Sequence, residues 1–374
     1  MPKLVFVWDN FGPLHADRCD AVARRLAGRF QIVGLELAGV SQVYDWNQES
    51  GECFTKVTLL KDQSFEQAGG FKLFRVTLKA CLAMGRDAQF FMCHYQEAAI
   101  FTTSVILRLL GRRVYIMGCS KFDTYERQLG KEAIKRLLHL PYQGGIASWK
   151  RSSDYMRFMG LDASRVKSPY NCVSLQRVRN LALAEPAPEG VPFKERKFII
   201  VARLVPEKNL SMALSAFSQY AAKTVCPREL HIFGSGPLGE ELQEQARSLG
   251  VSGLVHLHGF MQTSDVCKAF GSALALLLPS IVEQFGNVVP EALAMGLPII
   301  LSDICGARDL LVRSGVNGFV VEPDNPEGMA YFMSLLADDE NLWRSMCNAS
   351  RERANCADAD RFAEAVESLL QTAG

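Results

Sequence analysis

Residues 273–302 read ALALLLPSIVEQFGNVVPEALAMGLPIILS, and this stretch decides the fold class. An unbroken apolar run at 273–278 is followed by a polar loop, a helical pattern at 288–295 and a second apolar run at 298–302. Unbroken short apolar runs are typical of strands buried on both faces, and a helix between two such strands forms a parallel crossover. The stretch therefore predicts an α/β protein with a parallel sheet.

The same alternation of short strands and helices extends in both directions along the chain. In the second half it predicts strands at 198–202, 229–233, 254–258 and 318–321, and helices at 209–222, 238–249 and 264–270. In the first half it predicts strands at 3–8, 31–37, 88–93 and 114–117. Residues 44–71 are polar and weakly periodic, so we predict an excursion from the sheet there.

A break in this pattern at residues 183–194 predicts the domain boundary. The segment holds three Pro and one Gly without apolar periodicity, which is typical of a linker. A length of 374 residues suits two domains, so we predict doubly wound α/β domains at 1–182 and 195–355, followed by helical residues at 356–374. Ligands of such sheets bind at the carboxyl ends of the strands, here in a cleft between the two domains.

Composition excludes several classes of protein. The longest apolar runs are far shorter than the ~20 residues that cross a bilayer, and the N-terminus starts in a strand-like run rather than a signal peptide. The 11 cysteines are scattered, without a C-x-x-C pair or a cluster with His at ligand spacing. We therefore predict a soluble, cytoplasmic protein with reduced, buried thiols and no bound metal.

The net charge of +1 conceals an asymmetry between the two halves. Residues 1–170 hold 24 basic and 16 acidic side chains, whereas residues 171–374 hold 17 and 24. Ten of the basic residues lie between Arg108 and Arg151. They form either a solvated helical face or a surface for an anionic partner, such as a phosphorylated acceptor or the acidic inner face of a membrane. Nucleic acid is not predicted, because stacking aromatics are not interleaved with the charges.

The loop at 279–287 and the helix after it contain two carboxylates and a glycine. Gly286 allows a close approach of backbone to a ligand, and the helix N-terminus offers free N–H groups to an anion. Glu283 and Glu291 lie eight residues apart and could accept hydrogen bonds from sugar hydroxyls. The alternative is that Glu283 only complements the helix dipole and Glu291 is an ordinary helical residue.

Two cations, Arg203 and Lys208, lie in the loop after the strand at 198–202. A guanidinium and an ammonium at the carboxyl end of a strand suit a diphosphate, and two solvated surface cations are the alternative.

The segment Gly234-Ser-Gly236-Pro237-Leu-Gly239 has the G-x-G-x-x-G pattern of dinucleotide-binding loops. The acidic residue that binds the ribose should end the next strand, but that strand ends at His258. Pro237 also removes an N–H group that a pyrophosphate would use. Dinucleotide binding, and with it a nicotinamide-dependent oxidoreductase, is therefore not predicted.

The first domain offers two candidates. Gly12 lies in the turn after the first strand, where backbone N–H groups can face a phosphate or a sugar. His94 ends a later strand and is expected in the same cleft, although a structural histidine is the alternative interpretation.

Taken together, the motifs of the second domain resemble those of family 4 retaining glycosyltransferases, which have the GT-B fold. The resemblance rests on an ordered set over about 120 residues, namely Arg203 with Lys208, Gly234-Ser-Gly236-Pro237, His258-Gly-Phe260, the E-x7-E element from Glu283 to Glu291, and Ser314-Gly-Val-Asn-Gly-Phe319. In the first domain, residues 12–18 and 120–135 resemble a subgroup that builds bacterial polysaccharides. The glycine-rich first loop of the family is here reduced to Gly12 followed by Pro13.

The resemblance implies a role for each candidate. Arg203 and Lys208 would bind the donor diphosphate and stabilise it as it leaves, Glu283 would hold the transferred sugar, and His94 would lie near that sugar. The other residues implied in donor binding are Gly12, Gly234, Gly236, His258, Phe260, Phe285, Gly286, Asn287, Val288 and Glu291. Among them, Glu291 would bind the ribose, and the loop with His258 and Phe260 would cover the nucleobase.

The resemblance also implies an activity. The expected reaction moves a sugar, with retention, from a nucleotide diphosphate sugar to a saccharide or lipid-linked acceptor in cell-surface polysaccharide or glycoconjugate synthesis. A UDP-sugar is the preferred donor and a GDP-sugar the alternative, with no metal or cofactor. The helix within 356–374 is expected to pack back on the first domain. A nucleotide-sugar epimerase of the same fold is the alternative function.

Overall fold

The computed structural model describes residues 1–41 and 50–372, which form two compact units. The first unit comprises Met1–Ser174 and Ala359–Gly374, and the second comprises Leu175–Asp358. Each unit is built on one parallel sheet with helices between its strands.

The first unit contains a seven-stranded sheet. Its strands are β1 (Lys3–Trp8), β2 (Gln31–Val40), β3 (Thr55–Ser64), β4 (Gln89–Met92), β5 (Arg113–Gly118), β6 (Gly145–Ala147) and β7 (Val166–Lys167). Its first five helices are α1 (Pro13–Arg25), α2 (Gly70–Ala83), α3 (Ala98–Leu109), α4 (Leu129–Leu137) and α5 (Lys150–Phe158). The strand order is β3-β2-β1-β4-β5-β6-β7, and the paired strands are parallel.

The second unit contains a six-stranded parallel sheet. Its strands are β8 (Lys197–Val201), β9 (Leu230–Phe233), β10 (Val255–Leu257), β11 (Ala273–Leu278), β12 (Ile299–Ser302) and β13 (Gly318–Val321). Its helices are α6 (Leu175–Ala182), α7 (Leu210–Lys223), α8 (Gly239–Ser248), α9 (Thr263–Gly271), α10 (Val288–Ala294), α11 (Arg308–Leu311), α12 (Pro326–Asp338) and α13 (Glu340–Ala354). The order β10-β9-β8-β11-β12-β13 places β8 and β11 at the centre.

The last helix, α14 (Ala359–Gln371), belongs to the first unit and packs along α1. Side chains of β1 alternate between two apolar clusters, because neighbouring residues of a strand point to opposite faces. Phe6 joins the cluster that contains Phe362 of α14, and Val7 joins the cluster that contains Leu107 of α3. The sheet is therefore covered by helices on both faces, as in a doubly wound fold.

The predicted α/β class with two parallel sheets is confirmed. In the second unit each predicted strand and helix lies within about two residues of an observed one. The predicted excursion from the sheet at residues 44–71 is wrong for residues 55–64. Residues 42–49 lie outside the described residues, but residues 55–64 form β3, which pairs with β2 at the edge of the sheet. Only two of its ten residues are buried, so its apolar pattern is weak.

The observed boundary between the units also differs from the predicted one. It falls after Ser174, so α6 and residues 183–194 belong to the second unit. The Ala187 amide donates to the Met295 carbonyl oxygen at 2.9 Å, and Ala187 is 1% exposed. The buried Arg196 guanidinium donates to the carbonyl oxygen of Glu189 at 2.5 Å. A segment rich in Pro and Gly is here fixed against its own unit by backbone hydrogen bonds.

All eleven cysteines are free thiols, and most are buried, although Cys53 and Cys226 are exposed. Among the described residues, no helix is long and apolar enough to cross a membrane.

Candidate functional site

The loops at the carboxyl ends of β8, β11 and β13 are joined by one side chain, Asn209. Its amide nitrogen donates to the carbonyl oxygens of Pro279 at 3.1 Å and Pro323 at 2.7 Å. Asn209 has a φ of 54°, a left-handed conformation that asparagine tolerates better than most residues. This conformation turns the chain into α7 and leaves the preceding residue, Lys208, at the end of the loop.

Lys208 and Glu283 are brought together although they lie 75 positions apart in the sequence. Lys208 Nζ lies 2.5 Å from Glu283 Oε2, and the two side chains are 17% and 12% exposed. The Glu207 carbonyl oxygen accepts hydrogen bonds from the amides of Ile281 and Val282 at 3.0 and 3.2 Å, which ties the two loops. The pair places an ammonium beside a carboxylate at the carboxyl edge of the sheet. These groups can bind a phosphate oxygen and a hydroxyl, respectively.

The loop between Glu283 and α10 is held close to the sheet. A Cβ atom on Gly286, which has a φ of 96°, would lie 2.9 Å from Leu278 Cδ2 and 3.1 Å from Cys305 Sγ. The Phe285 carbonyl oxygen accepts a hydrogen bond from the Ala307 amide at 2.8 Å. Position 286 therefore requires glycine both for its φ and for its packing.

Four other candidate residues lie in the same segment, between Phe285 and Glu291. Phe285 is 2% exposed. Asn287 is exposed, Val288 is half-buried at the start of α10, and Glu291 is half-buried in its first turn.

The glycines of the loop after β9 allow close packing on the loop after β8. A Cβ atom on Gly234, which has a φ of 145°, would lie 1.8 Å from the Ala202 carbonyl oxygen, and one on Gly236 would lie 2.4 Å from that of Leu204. The Leu204 amide donates to the Ser235 carbonyl oxygen at 2.9 Å. Loop packing alone thus accounts for the first two glycines of the G-x-G-x-x-G pattern.

Three further candidates lie beside these loops. The Gly234 amide donates to the Gly259 carbonyl oxygen at 2.8 Å, which joins the loops after β9 and β10. The exposed His258 ring stacks on Phe233 with ring centroids 4.4 Å apart, and Phe260 is 39% exposed. Arg203 is also exposed.

In the first unit, His94 is paired with Asp9, a residue to which the sequence reasoning assigned no role. His94 Nε2 lies 3.0 Å from Asp9 Oδ1. Asp9 directly follows β1 and His94 lies two residues beyond β4, and these strands are neighbours in the sheet. This adjacency is the signal that could have identified Asp9. His94 has a φ of 55°, a strained conformation that is concentrated at functional sites.

The pKa shifts of His94 and Asp9 favour the charged form of both side chains. Burial acts to lower the pKa of His94, but the hydrogen bond and the charge of Asp9, with the charge of Glu97, outweigh it and raise the pKa above 6.5. Burial acts to raise the pKa of Asp9, but the hydrogen bond and the charge of His94 outweigh it and lower the pKa. The pairing therefore favours the protonated form of His94 beside the ionised Asp9.

Gly12 caps α1, and its amide donates to His15 Nδ1 at 3.0 Å. Burial, followed by the charge of Arg18, lowers the pKa of His15 to about 3, so the ring is a neutral acceptor. The amide of Phe11 donates to Glu36 Oε1 at 2.8 Å. Both amides of this turn are therefore engaged within the unit, and a donor contact from Gly12 stays a prediction.

The candidates thus form two groups. Gly12 and His94 lie in the first unit, and all the others lie in the second. Their individual roles toward a ligand stay predictions.

Comparison with known proteins identifies the domain that carries the second group. The model of the family described as glycosyl transferases group 1 matches residues 184–353. Residues 184–353 are a group 1 glycosyltransferase domain. This match covers every candidate of the second unit and agrees with the motifs from Arg203 to Glu291.

Curated relatives match the chain in part. The poly(glycerol-phosphate) alpha-glucosyltransferase of Bacillus subtilis is 34% identical over 158 residues, which cover 42% of this chain and 23% of that protein. An N-acetylgalactosaminyltransferase of Campylobacter jejuni, which acts on a diphospho-undecaprenol-linked saccharide according to its name, is 26% identical over 58% of this chain and 57% of its own. The chain spans less than three fifths of these curated relatives.

Solved structures match the whole chain. Anabaena HepE in complex with UDP and glucose has a TM-score of 0.74 at 16% identity, with all of both chains covered. Sucrose-phosphate synthase from Thermosynechococcus elongatus has a TM-score of 0.75 at 16% identity and covers 100% of this chain and 99% of its own. The two-sheet architecture is therefore that of the GT-B fold.

The close packing of the loop after β9 predicts that Gly234→Ala destabilises the second unit. Its Cβ would overlap a backbone oxygen that cannot move away, so we expect a loss of about 3–5 kcal/mol. Gly250→Ala is the matched control, because Gly250 also has a positive φ, of 71°, but open space around it. It should cost about 1–2 kcal/mol. Urea unfolding measures both, and equal losses would contradict the packing argument.

The Asp9–His94 pair predicts a shift in the titration of His94. Asp9→Asn removes the negative charge beside His94, although the amide oxygen can still accept a hydrogen bond, so the pKa of His94 should fall below its wild-type value. The wild-type pair stabilises most strongly below pH 6.5, and this contribution is lost as the pH rises through the raised pKa. NMR titration of the ring, assigned with His94→Gln, measures the pKa. Glu97→Gln should lower it less, and an unchanged pKa in Asp9→Asn would refute the pairing.

Proposed function

We propose that this chain is a retaining glycosyltransferase that moves a sugar from a nucleotide diphosphate sugar to a saccharide or lipid-linked acceptor. The observation that carries the proposal is the Lys208–Glu283 pair, fixed at the carboxyl edge of the sheet within a group 1 glycosyltransferase domain. It offers a cation for the leaving diphosphate and a carboxylate for the sugar hydroxyls at neighbouring points.

The leaving group is stabilised by positive charge. As the bond between the anomeric carbon and the donor phosphate oxygen breaks, negative charge builds on the diphosphate. In this proposal Lys208 and Arg203, which lie on one loop, stabilise that charge. Loops tied by backbone hydrogen bonds keep such groups oriented before the reaction, so little reorganisation is needed. These two side chains supply the charge that a metal ion supplies in other transferases, which supports a metal-independent reaction.

The sugar is held by the following segment. Glu283 accepts hydrogen bonds from its hydroxyls, the backbone amides from Phe285 to Val288 donate to them, and Glu291 binds the ribose. His94 is the residue of the first unit that we assign to binding of the same sugar. In a same-face displacement, the acceptor oxygen bonds to the anomeric carbon while its proton passes to the departing phosphate oxygen, so the configuration is retained.

A UDP-sugar is the donor we propose, with a GDP-sugar as the alternative. Anabaena HepE, whose fold this chain shares, was crystallised with UDP and glucose. The names of the relatives from Bacillus and Campylobacter support an acceptor of the polysaccharide or lipid-linked class in glycoconjugate synthesis. Binding occurs without a metal or a cofactor in this proposal.

We also propose that the first unit makes peripheral contact with an acidic membrane, at the inner face in a cytoplasmic location. The evidence is α4, whose polar side is buried and whose apolar side is exposed. Glu132 is 2% exposed, whereas Leu129, Ile134 and Leu137 are 78%, 66% and 56% exposed. An amphipathic helix in a globular protein normally has the opposite orientation.

Buried polar contacts hold α4 in this orientation. Glu132 accepts hydrogen bonds from the hydroxyl of Tyr155 at 2.6 Å, from Lys135 at 2.9 Å and from Arg127 at 3.2 Å. Burial acts to raise the pKa of Glu132, but these hydrogen bonds outweigh it and lower the pKa, so the carboxylate stays charged. The exposed cations Lys131 and Arg136 lie on the same helix as the apolar side. Apolar side chains with adjacent cations suit anionic lipid headgroups over an acyl layer.

The donor proposal predicts that UDP stabilises the protein against heat and that Lys208→Ala removes this effect. Full binding at 100 times the dissociation constant adds about 2.7 kcal/mol by mass action. Lys268→Ala is the matched control, because Lys268 forms an exposed ion pair with Asp265 on α9. Thermal shifts with UDP and GDP, with and without EDTA, are the measurement. A shift that survives in Lys208→Ala, or that EDTA abolishes, would contradict the proposal.

The reaction itself is checked separately. The rate of sugar transfer from UDP-glucose to a saccharide acceptor should fall at least 100-fold in Glu283→Ala. Conversion of a UDP-sugar to its epimer without any acceptor would instead favour the epimerase.

The membrane proposal predicts binding to vesicles that contain phosphatidylglycerol and no binding to pure phosphatidylcholine. The double variant Ile134→Glu and Leu137→Glu should lose this binding at least 10-fold, because it places charge on the apolar side of α4. Val225→Glu is the control, since Val225 is a fully exposed apolar residue of the second unit. Sedimentation at low and high salt measures the binding. Equal binding by the double variant, or to neutral vesicles, would refute the proposal.

A further inference from the structure

Four ionisable side chains of β9, β10 and the residues that flank these strands lie together, although the sequence predicted no bound metal. Glu229 and His231 are two residues apart, as are His256 and His258, so each pair points to one face of its strand. His231 and His256 are partners in the parallel register. The patterns E-x-H and H-x-H were present in the sequence, but only strand pairing brings them together.

The distances within this cluster approach those of a metal site. Glu229 Oε2 lies 2.9 Å from His231 Nε2, and Glu229 Oε1 lies 3.7 Å from His256 Nε2. One ligand atom from each of the three residues lies within 4.8 Å of the other two. Zinc bonds of about 2.0–2.2 Å place tetrahedral ligand atoms about 3.4 Å apart, so small side-chain rotations suffice.

One nitrogen of the cluster has no partner. The His256 ring is 40% exposed, yet its Nε2 is buried and makes no hydrogen bond to any part of the chain that the structure describes. A buried nitrogen without a hydrogen bond is destabilising. This atom faces the Glu229 carboxylate at a distance too long for a hydrogen bond and suitable for a shared ion.

The other nitrogen of His231 is oriented by His258. His231 Nδ1 lies 2.8 Å from His258 Nε2. With Nε2 directed at an ion, Nδ1 carries the hydrogen and donates it to His258, the arrangement that orients metal-bound imidazoles. The positive charge of Lys197 interacts with this cluster, and the Glu229 carboxylate offsets its repulsion of a cation.

We propose that Glu229, His231 and His256 bind a divalent transition metal ion, with zinc as the best match, and that His258 positions His231. Two imidazoles and one carboxylate suit zinc, whereas magnesium and calcium prefer an all-oxygen site. The partly exposed Glu229, at 48%, gives the ion access from solvent. Three protein ligands leave one position for water or another ligand. The cluster shares His258 with the loop that is predicted to cover the nucleobase, but zinc binding itself does not require the proposed transferase activity.

Titration of the full-length, EDTA-treated protein with Zn²⁺ tests this site. Cys53→Ser with Cys226→Ser serves as the background, because exposed thiols bind zinc themselves. Calorimetry should give one equivalent of bound zinc. His231→Ala and His256→Ala should weaken binding at least 100-fold, and Co²⁺ should give a visible absorption band that both variants lose.

Conservative variants keep the test independent of folding. Glu229→Gln should weaken zinc binding at least 10-fold, whereas Glu244→Gln, at a residue that is 69% exposed on α8, should leave it unchanged. His258→Gln should weaken binding about 10-fold and keep the cobalt band, as expected of a positioning residue. Absence of stoichiometric zinc binding, or binding that Glu229→Gln and His256→Ala leave intact, would overturn the site. A UDP-induced thermal shift reports the donor site separately.

Discussion

The amide of Asn209 is the contact on which the candidate site of the second unit depends. A parallel sheet brings the carboxyl ends of its strands to one edge, but it does not fix the loops that follow them. Asn209 bonds two of these loops while turning its own into α7, and the ion pair between Lys208 and Glu283 joins the same loops. The positions of Lys208 and Glu283 therefore follow from contacts made beside them, and such preorganisation is what the proposed electrostatic catalysis requires.

In the first unit, a buried carboxylate fixes the turn that carries Asp9, the partner of His94. Glu36 on β2 is fully buried and accepts hydrogen bonds from the Phe11 amide at 2.8 Å and the Thr58 hydroxyl at 2.6 Å, with Lys56 at 3.1 Å. It fixes the turn that carries Asp9, and Asp9 in turn orients His94. A buried charge with several partners is costly to disturb, because removal of one partner leaves the others unsatisfied. The strained His94 is thus held by its surroundings.

The sequence was sufficient to predict the elements that are determined by local residue patterns. Unbroken apolar runs located the central strands of the second unit, and motif order located the residues from Arg203 to Glu291. The edge strand β3 was missed because its residues are mostly half-buried or exposed. Asp9 and Glu229 were missed because their roles arise from neighbouring strands. Residues 183–194 were misassigned because Pro and Gly mark the absence of regular structure, which does not exclude firm packing.

Some residues of this protein hold the candidate site in place without contacting a proposed ligand. Asn209, Glu36 and Glu132 touch no proposed ligand, yet each holds a segment on which a proposed ligand contact depends. Loss of activity at such a position would report displaced loops, whereas loss at Lys208 or Glu283 would report the loss of a proposed ligand contact. The two cases separate by stability, since a buried polar group without its partners lowers the free energy of unfolding by about 1–3 kcal/mol. Measurements of unfolding and turnover on the same variant therefore distinguish residues that contact a proposed ligand from residues that only hold the loops in place.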